Sequence, residues 1–294
     1  MHYLDFGGPS DGPVVVAVHG LGGSAVNWAA IAPLLADRCR VLAPDLAGHG
    51  LTQSLGRGTT VAANRALLHR FAGSVVGGPV ILMGNSMGGM ISLFEAAAAP
   101  ELVSGLILVD PALPIVPARP DPTVATLFAV YATPLVGRLL MNRRRQWSPE
   151  AAVTATLSLC CVDHTRIPAD VFAQHVTLAQ WRTEFAGTER DFLVAARSVV
   201  STAGYVRGRT YRRMMQSIQA PVLMLHGVRD RLVPLAAARA TARLNPTWKL
   251  VELPDIGHVP QLETPQKTAT EILHWLDSAG EPAARAAATG PPIV

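Results

Sequence analysis

Cysteine is nearly missing from this chain: Cys39 and the adjacent pair Cys160 and Cys161 are the only three in 294 residues. Two neighbours and one distant thiol make no disulfide framework, and no Cys/His spacing matches a metal site, so a reducing, cytoplasmic setting without a bound metal or cofactor is expected. Aromatic residues are also few, at 5%. Although the formal charge is +4, no basic stripe is interleaved with stacking rings, which argues against a nucleic-acid partner. Charged residues make up only 16% and hydrophobic ones 49%, a balance that excludes a disordered or fibrous chain and can fill a full α/β core. Long unbroken apolar runs are lacking as well. The uncharged stretches, such as the one after Phe71, are cut by glycines, Pro79 and Asn85 into helix end, strand and turn, so no transmembrane span is expected. Met1 to Asp5 carries neither a basic nor an apolar signal region.

What is present is a regular alternation of short β-branched runs and helical patterns. Strands are predicted at Val14 to Val18, Arg40 to Ala43, Pro79 to Met83 and Gly105 to Val109. Helices are predicted at Trp28 to Ala36 and Thr60 to Val75. This rhythm implies an α/β fold, a mostly parallel sheet covered by helices on both faces. From Pro111 to Gln219 only helical patterns occur. Strand character returns at Pro221 to Leu225 and Lys249 to Leu253, with helices at Leu235 to Leu244 and Pro265 to Leu276. The simplest organisation is a core made of residues 1–112 and 218–277, interrupted by a helical lid at 113–217. Residues 278–294 form an Ala, Gly and Pro-rich tail expected to lack regular structure.

Ser86 is the most informative residue. It lies in Gly84-Asn85-Ser86-Met87-Gly88, directly after an apolar run and directly before a helical stretch. Glycines two residues either side of a serine allow the sharp strand-to-helix reversal of a nucleophile elbow, which exposes the hydroxyl above the sheet and aims the Met87 N–H at a developing oxyanion. A serine hydroxyl needs a base, and the base needs a group that fixes its tautomer. His258, in the loop after the last predicted strand, is the candidate base. Asp230, in the loop after the preceding strand, is the candidate acid. His49, His164, His175 and His226 are expected to be surface or loop histidines, and His19 a structural one.

The order Ser86, Asp230, His258 resembles that of the α/β-hydrolases, and the likeness runs from His19-Gly20 to Trp275. His19-Gly20-Leu21-Gly22-Gly23 is similar to the family's oxyanion loop, which implies the Leu21 N–H as second donor. Asp45-Leu46-Ala47-Gly48-His49-Gly50 resembles its structural turn. Some members keep the acid where Asp110 stands, so that residue is the rival to Asp230. Serine at the elbow separates the chain from dehalogenases and epoxide hydrolases, which use aspartate there.

The resemblance implies acyl transfer through an acyl-serine, and the reading adopted is an ester hydrolase with an apolar acyl pocket acting on a small ester or lipid. Asn27, Trp28, Leu127, Phe128, Tyr131, Trp181 and Val259 are the expected substrate contacts, with Leu135, Leu139, Leu157 and Phe172 as further lining. The elbow is also similar to that of carbon–carbon bond hydrolases acting on ring-fission dienone acids. Those usually carry tryptophan after the histidine, where Val259 stands here, and would need a lid arginine such as Arg182 or Arg190 for the substrate carboxylate. A ligand receptor of the same fold with little turnover is the third reading. Arginines outnumber acids in the lid, and Thr123 to Arg145 is strongly apolar and ends in three arginines. Peripheral membrane contact through this basic lid is therefore a further expectation.

Overall fold

The computed structural model describes residues 1–116 and 121–278. Seven strands form one sheet in the order β1-β3-β2-β4-β5-β6-β7: β1 Tyr3–Asp5, β2 Val14–Val18, β3 Arg40–Pro44, β4 Val80–Asn85, β5 Val103–Val109, β6 Val222–Gly227 and β7 Lys249–Leu253. Every neighbouring pair is parallel except β1 with β3. Because the inner strands are buried on both faces, they read as continuous apolar runs such as Val-Val-Val-Ala-Val and Val-Ile-Leu-Met. The edge strand β1 has only three residues, two of them exposed, which is too short and too polar a pattern to announce itself.

Helices cover both faces: α1 Ala32–Leu35, α2 Val61–Phe71, α3 Met87–Ala98, α4 Pro122–Ala132, α5 Pro134–Arg144, α6 Pro149–Cys160, α7 Ala169–Arg182, α8 Thr188–Ala203, α9 Tyr205–Met215, α10 Leu235–Leu244, α11 Pro260–Glu263 and α12 Pro265–Ser278. One core lies between the sheet and α2, α3, α8 and α9, with Leu68, Met90, Leu93 and Tyr211 among its members. The other lies beneath the opposite face, where Trp28, Ile31, Leu35, Ile272 and Trp275 pack on Val15, Met83 and Ile107. The predicted helix from Trp28 to Ala36 is instead a short 3₁₀ turn, Ala25–Trp28, followed by α1 with Pro33 in its first turn. Proline has no N–H to give and fixes its own φ, so the helix begins only there.

Between β5 and β6 the described chain holds α4 to α9 and no strand. Ser278 closes α12, and residues 279–294 of the expected tail lie outside the described residues. Among the described residues no single helix is long and apolar enough to cross a membrane. The pair α4 and α5 reaches the required length and composition together, but it is bent by 108°.

Candidate active site

The residues singled out by the sequence converge on the end of the sheet where β2, β4, β5, β6 and β7 terminate. Ser86 follows β4 with φ 53° and ψ −117°, a conformation that side chains rarely adopt, and α3 starts at the next residue. The flanking glycines are required by contact: a Cβ on Gly88 would sit 2.0 Å from the Val18 carbonyl oxygen, and one on Gly84 would sit 2.6 Å from the Gly88 backbone. Helix α3 can therefore press its first turn onto β2 and β4 only because those side chains are missing. Ser86 remains partly accessible while its neighbours in β4 and α3 are buried.

The elbow is tied into the sheet by its own backbone, with the Ser86 N–H donating to Val109 O (3.1 Å) and Ser86 O accepting from Ala112 N (2.9 Å). Asn85, which the sequence offered only as part of the elbow, is the connecting residue. Its Nδ2 donates to Val109 O and to His258 O, both at 3.0 Å, and so joins the serine loop to the histidine loop across 173 residues of chain. The oxyanion-type loop closes the third side, since a Cβ on Gly20 would lie 3.1 Å from Ser86 Cβ. Among the described residues, the N–H groups of Leu21 and Met87 have no hydrogen-bond partner. His19 holds this loop: its Nδ1–H donates to Gly20 O (2.8 Å) and its Nε2 accepts from Leu46 N (3.0 Å). Burial lowers the pKa of His19, which keeps the imidazole neutral in this bridging role.

His258 is buried, and its Nδ1 lies 2.7 Å from Asp230 Oδ2. The other carboxylate oxygen of Asp230 accepts from Leu232 N (2.7 Å) and Val233 N (3.1 Å). Burial disfavours the charged form of Asp230, but the charge and hydrogen bond of His258, the neighbouring His226 and the Val233 amide outweigh it and hold the pKa below the usual carboxylate value. Asp110 has the opposite balance. Complete burial, and then the adjacent charge of Asp230, push its pKa well above 3.8. Its Oδ1 accepts from Gly227 N (2.9 Å), whereas its Oδ2 is buried with no hydrogen-bond partner. The two acids therefore shift in opposite directions, Asp230 toward its ionised form beside the histidine and Asp110 toward its neutral form.

His226 lies between them, fully buried at the end of β6 rather than on the surface. Its Nε2–H donates to Val233 O (3.0 Å), and its Nδ1 faces Asp110 Oδ1 at 3.5 Å. Asp110, His226 and Asp230 form a cluster of potential metal ligands within 4.8 Å, but hydrogen bonds to backbone and to His258 already account for most of its polar atoms. His49 is likewise buried instead of exposed, and its pKa falls to about 3, chiefly through desolvation. His49 lies in the turn after β3, where Arg182 of α7 bonds the flanking Gly48 and Gly50 carbonyls, and His226 is the penultimate residue of β6.

The histidine loop is clamped onto that helical insert. His258 N donates to Cys160 O (2.7 Å) at the end of α6. Glu263, buried and unmarked by any sequence motif, accepts from Gly257 N through one oxygen and from Val162 N and Asp163 N through the other. Arg182 on α7 donates from Nη1 to Gly50 O and from Nη2 to Gly48 O (3.1 Å), and so fastens the insert to the turn after β3.

The expected substrate contacts separate into three groups. Asn27 and Trp28 are structural. The Asn27 side chain accepts from Ser24 N (2.8 Å) in a capping box, and Trp28 is fully buried in the core beneath the sheet. Trp181 is 53% exposed on α7, Leu135 80% and Leu139 58% on α5, so all three face solvent. The helical spacing could not tell which face of an inserted helix would find a partner. Leu127, Phe128 and Tyr131 do pack near the site, in a cluster with Phe192, Leu193 and Leu21 of the oxyanion-type loop. Val259, together with Leu157 and Phe172, packs the histidine loop against α6 and α7. A separate cavity of about 820 Å³, lined by Arg65, Phe94, Arg197 and Tyr211, includes none of the candidate catalytic residues.

The strand order, the elbow at the end of β4 and the acid and histidine in the loops after β6 and β7 define an α/β-hydrolase. The alpha/beta hydrolase family model matches residues 15–271, and the chain belongs to that family. It is 28% identical over 270 residues to a pimeloyl-[acyl-carrier protein] methyl ester esterase of Aromatoleum aromaticum, covering 88% of this chain and 96% of the relative. It is also 26% identical over 281 residues to a 2-hydroxy-6-oxo-6-(2'-aminophenyl)hexa-2,4-dienoic acid hydrolase of Metapseudomonas resinovorans, covering 93% and 86%. Among solved structures, a thermophilic esterase from Thermogutta terrifontis superposes with a TM-score of 0.66 at 25% identity, covering 94% of this chain and 92% of that one.

Proposed function

We propose that this chain is a serine hydrolase of carboxylic esters with an apolar acyl group, using Ser86 as nucleophile, His258 as base and Asp230 as its acid partner. The observation that carries the reading is the 2.7 Å contact of His258 Nδ1 with Asp230 Oδ2, beside a strained, accessible serine whose neighbour Asn85 bonds the histidine backbone. With the Nδ1 proton held by Asp230, Nε2 is the basic nitrogen and takes the Ser86 proton during attack on the ester carbonyl. The oxyanion forms toward the unpartnered N–H groups of Leu21 and Met87, the alcohol leaves with a proton from His258, and water then releases the acid from the acyl-serine. Leu127, Phe128 and Tyr131, in the apolar cluster that Leu21 also packs against, would wall the acyl side as part of a lid.

The reading as a carbon–carbon bond hydrolase is favoured by the elbow and by one of the relatives, but it requires a lid arginine free to bind a carboxylate. Arg182 spends its guanidinium on two backbone carbonyls, and Arg190 is an exposed side chain beside Asp191. The ester reading needs no such residue. A panel of p-nitrophenyl esters of rising acyl length, a monoacylglycerol, an acyl thioester and a ring-fission dienone tests the choice: multiple turnover should be fastest on an ester and abolished by Ser86→Ala in a folded protein. Fastest turnover of the dienone would establish the alternative, and ligand-induced stabilisation with no turnover would establish a receptor.

A further inference from the structure

The lid carries an exposed face that neither the core nor the proposed chemistry uses. Helices α4 and α5 meet at Thr133 and Pro134 with a bend of 108°, which makes a convex corner of the molecule. Leu135, Val136 and Leu139 are 80%, 48% and 58% exposed there, with Ala132, Thr133 and Pro134 also open to solvent. No Asp or Glu occurs from Pro122 to Pro149, while Arg138, Arg143, Arg144 and Arg145 all do. Arg138 and Arg143 have no acidic partner among the described residues; Arg145 is bonded to Glu189 at 3.2 Å yet 62% exposed. Trp147, half exposed, lies under the Arg144 guanidinium, whose carbon is 5.5 Å from the ring centroid.

We infer that this corner is a docking surface for an anionic lipid bilayer. An apolar ridge ringed by arginines and an indole suits the headgroup boundary, where leucines enter the acyl region, tryptophan occupies the interface and guanidinium groups meet phosphates. Charge argues against a second copy of the chain, because a two-fold contact through this face would set its arginines against themselves. The preceding helix α4 puts Leu127, Phe128 and Tyr131 in the apolar cluster that Leu21 also packs against. A docked molecule would therefore hold the loop beside Ser86 one helix away from the lipid, which under the ester reading fits a substrate drawn from a membrane.

Docking is read independently of turnover, by co-sedimentation of the full chain with sucrose-loaded vesicles of phosphatidylcholine alone or with phosphatidylglycerol. Anionic vesicles should bind at least tenfold more tightly, and binding should weaken as salt rises. Leu135→Asp with Leu139→Asp should reduce binding at least tenfold without lowering Tm, since both side chains are solvated in the free protein. Arg143→Gln should cost about fivefold. Leu55→Asp, at a leucine 72% exposed outside this face, should change nothing. The inference is overturned by equal or absent binding to both vesicle types, by binding insensitive to the Leu135/Leu139 change, or by a dimer in solution that this double change dissociates. Ester turnover that survives any of these results would leave the functional reading intact.

Discussion

Asp110→Asn should stabilise the protein, and the gain should depend on pH in a defined way. In the folded state Asp110 is fully buried beside the charged Asp230 and stays protonated well above 3.8. In the unfolded chain it ionises near 3.8. A raised folded-state pKa contributes stability that is complete below the unfolded value and is lost as pH rises toward the folded one. Each pH unit in that window removes about 1.4 kcal/mol from the wild type. Asparagine has no proton to lose. Its carbonyl oxygen can still accept from Gly227 N. The difference in unfolding free energy, mutant minus wild type, should therefore be flat below pH 3.8 and then climb until the pH passes the raised folded-state value. Urea denaturation of both proteins in matched buffers from pH 3.5 to 7.5 measures the difference directly. Ester turnover should stay within a few-fold of wild type, because the neutral acid holds no charge against the imidazolium. A pH-independent difference would refute the raised Asp110 pKa, and loss of turnover would move the acid role from Asp230 to Asp110.

Asp230→Asn should do the reverse: turnover should fall by about 10⁴-fold through the wrong histidine tautomer, with circular dichroism unchanged. The lowered pKa of Asp230 contributes stability above the unfolded carboxylate value that is lost as pH falls through the folded one, so the acid limb of wild-type unfolding should flatten in this mutant. Ser86→Gly should abolish turnover yet raise unfolding free energy by about 1 kcal/mol over Ser86→Ala, since only glycine relieves φ 53°; equal Tm values for the two would count against backbone strain at the elbow. Gly88→Ala should lose 3 kcal/mol or more, roughly the upper limit of ordinary overpacking, because its methyl would meet the Val18 carbonyl rather than a side chain that can move. Soluble, fully folded Gly88→Ala protein with wild-type Tm would contradict the close approach of α3 to β2.

The parts legible in the sequence were those set by local rules. Apolar runs such as Val14–Val18 and residues 80–83 gave strands because period and β-branching are properties of neighbouring residues. The elbow was legible because a reversal that tight leaves only glycine at positions 84 and 88. Loops following predicted strands supplied Asp230 and His258, since a parallel sheet brings successive strand ends to one edge. The 3₁₀ turn before Pro33 and the three-residue β1 were missed, as both depend on what lies beside them.

Tertiary structure alone decided three things. It shifted the two neighbouring buried aspartates in opposite directions, Asp110 toward its neutral form and Asp230 toward its ionised form. It assigned Asn85, Glu263 and Arg182 to hold the loops and the helical insert together, through partners more than ninety residues away in several cases. And it sorted the insert's apolar residues into those facing Leu21 and those left in solvent, because helical periodicity names a stripe but not what the stripe will meet.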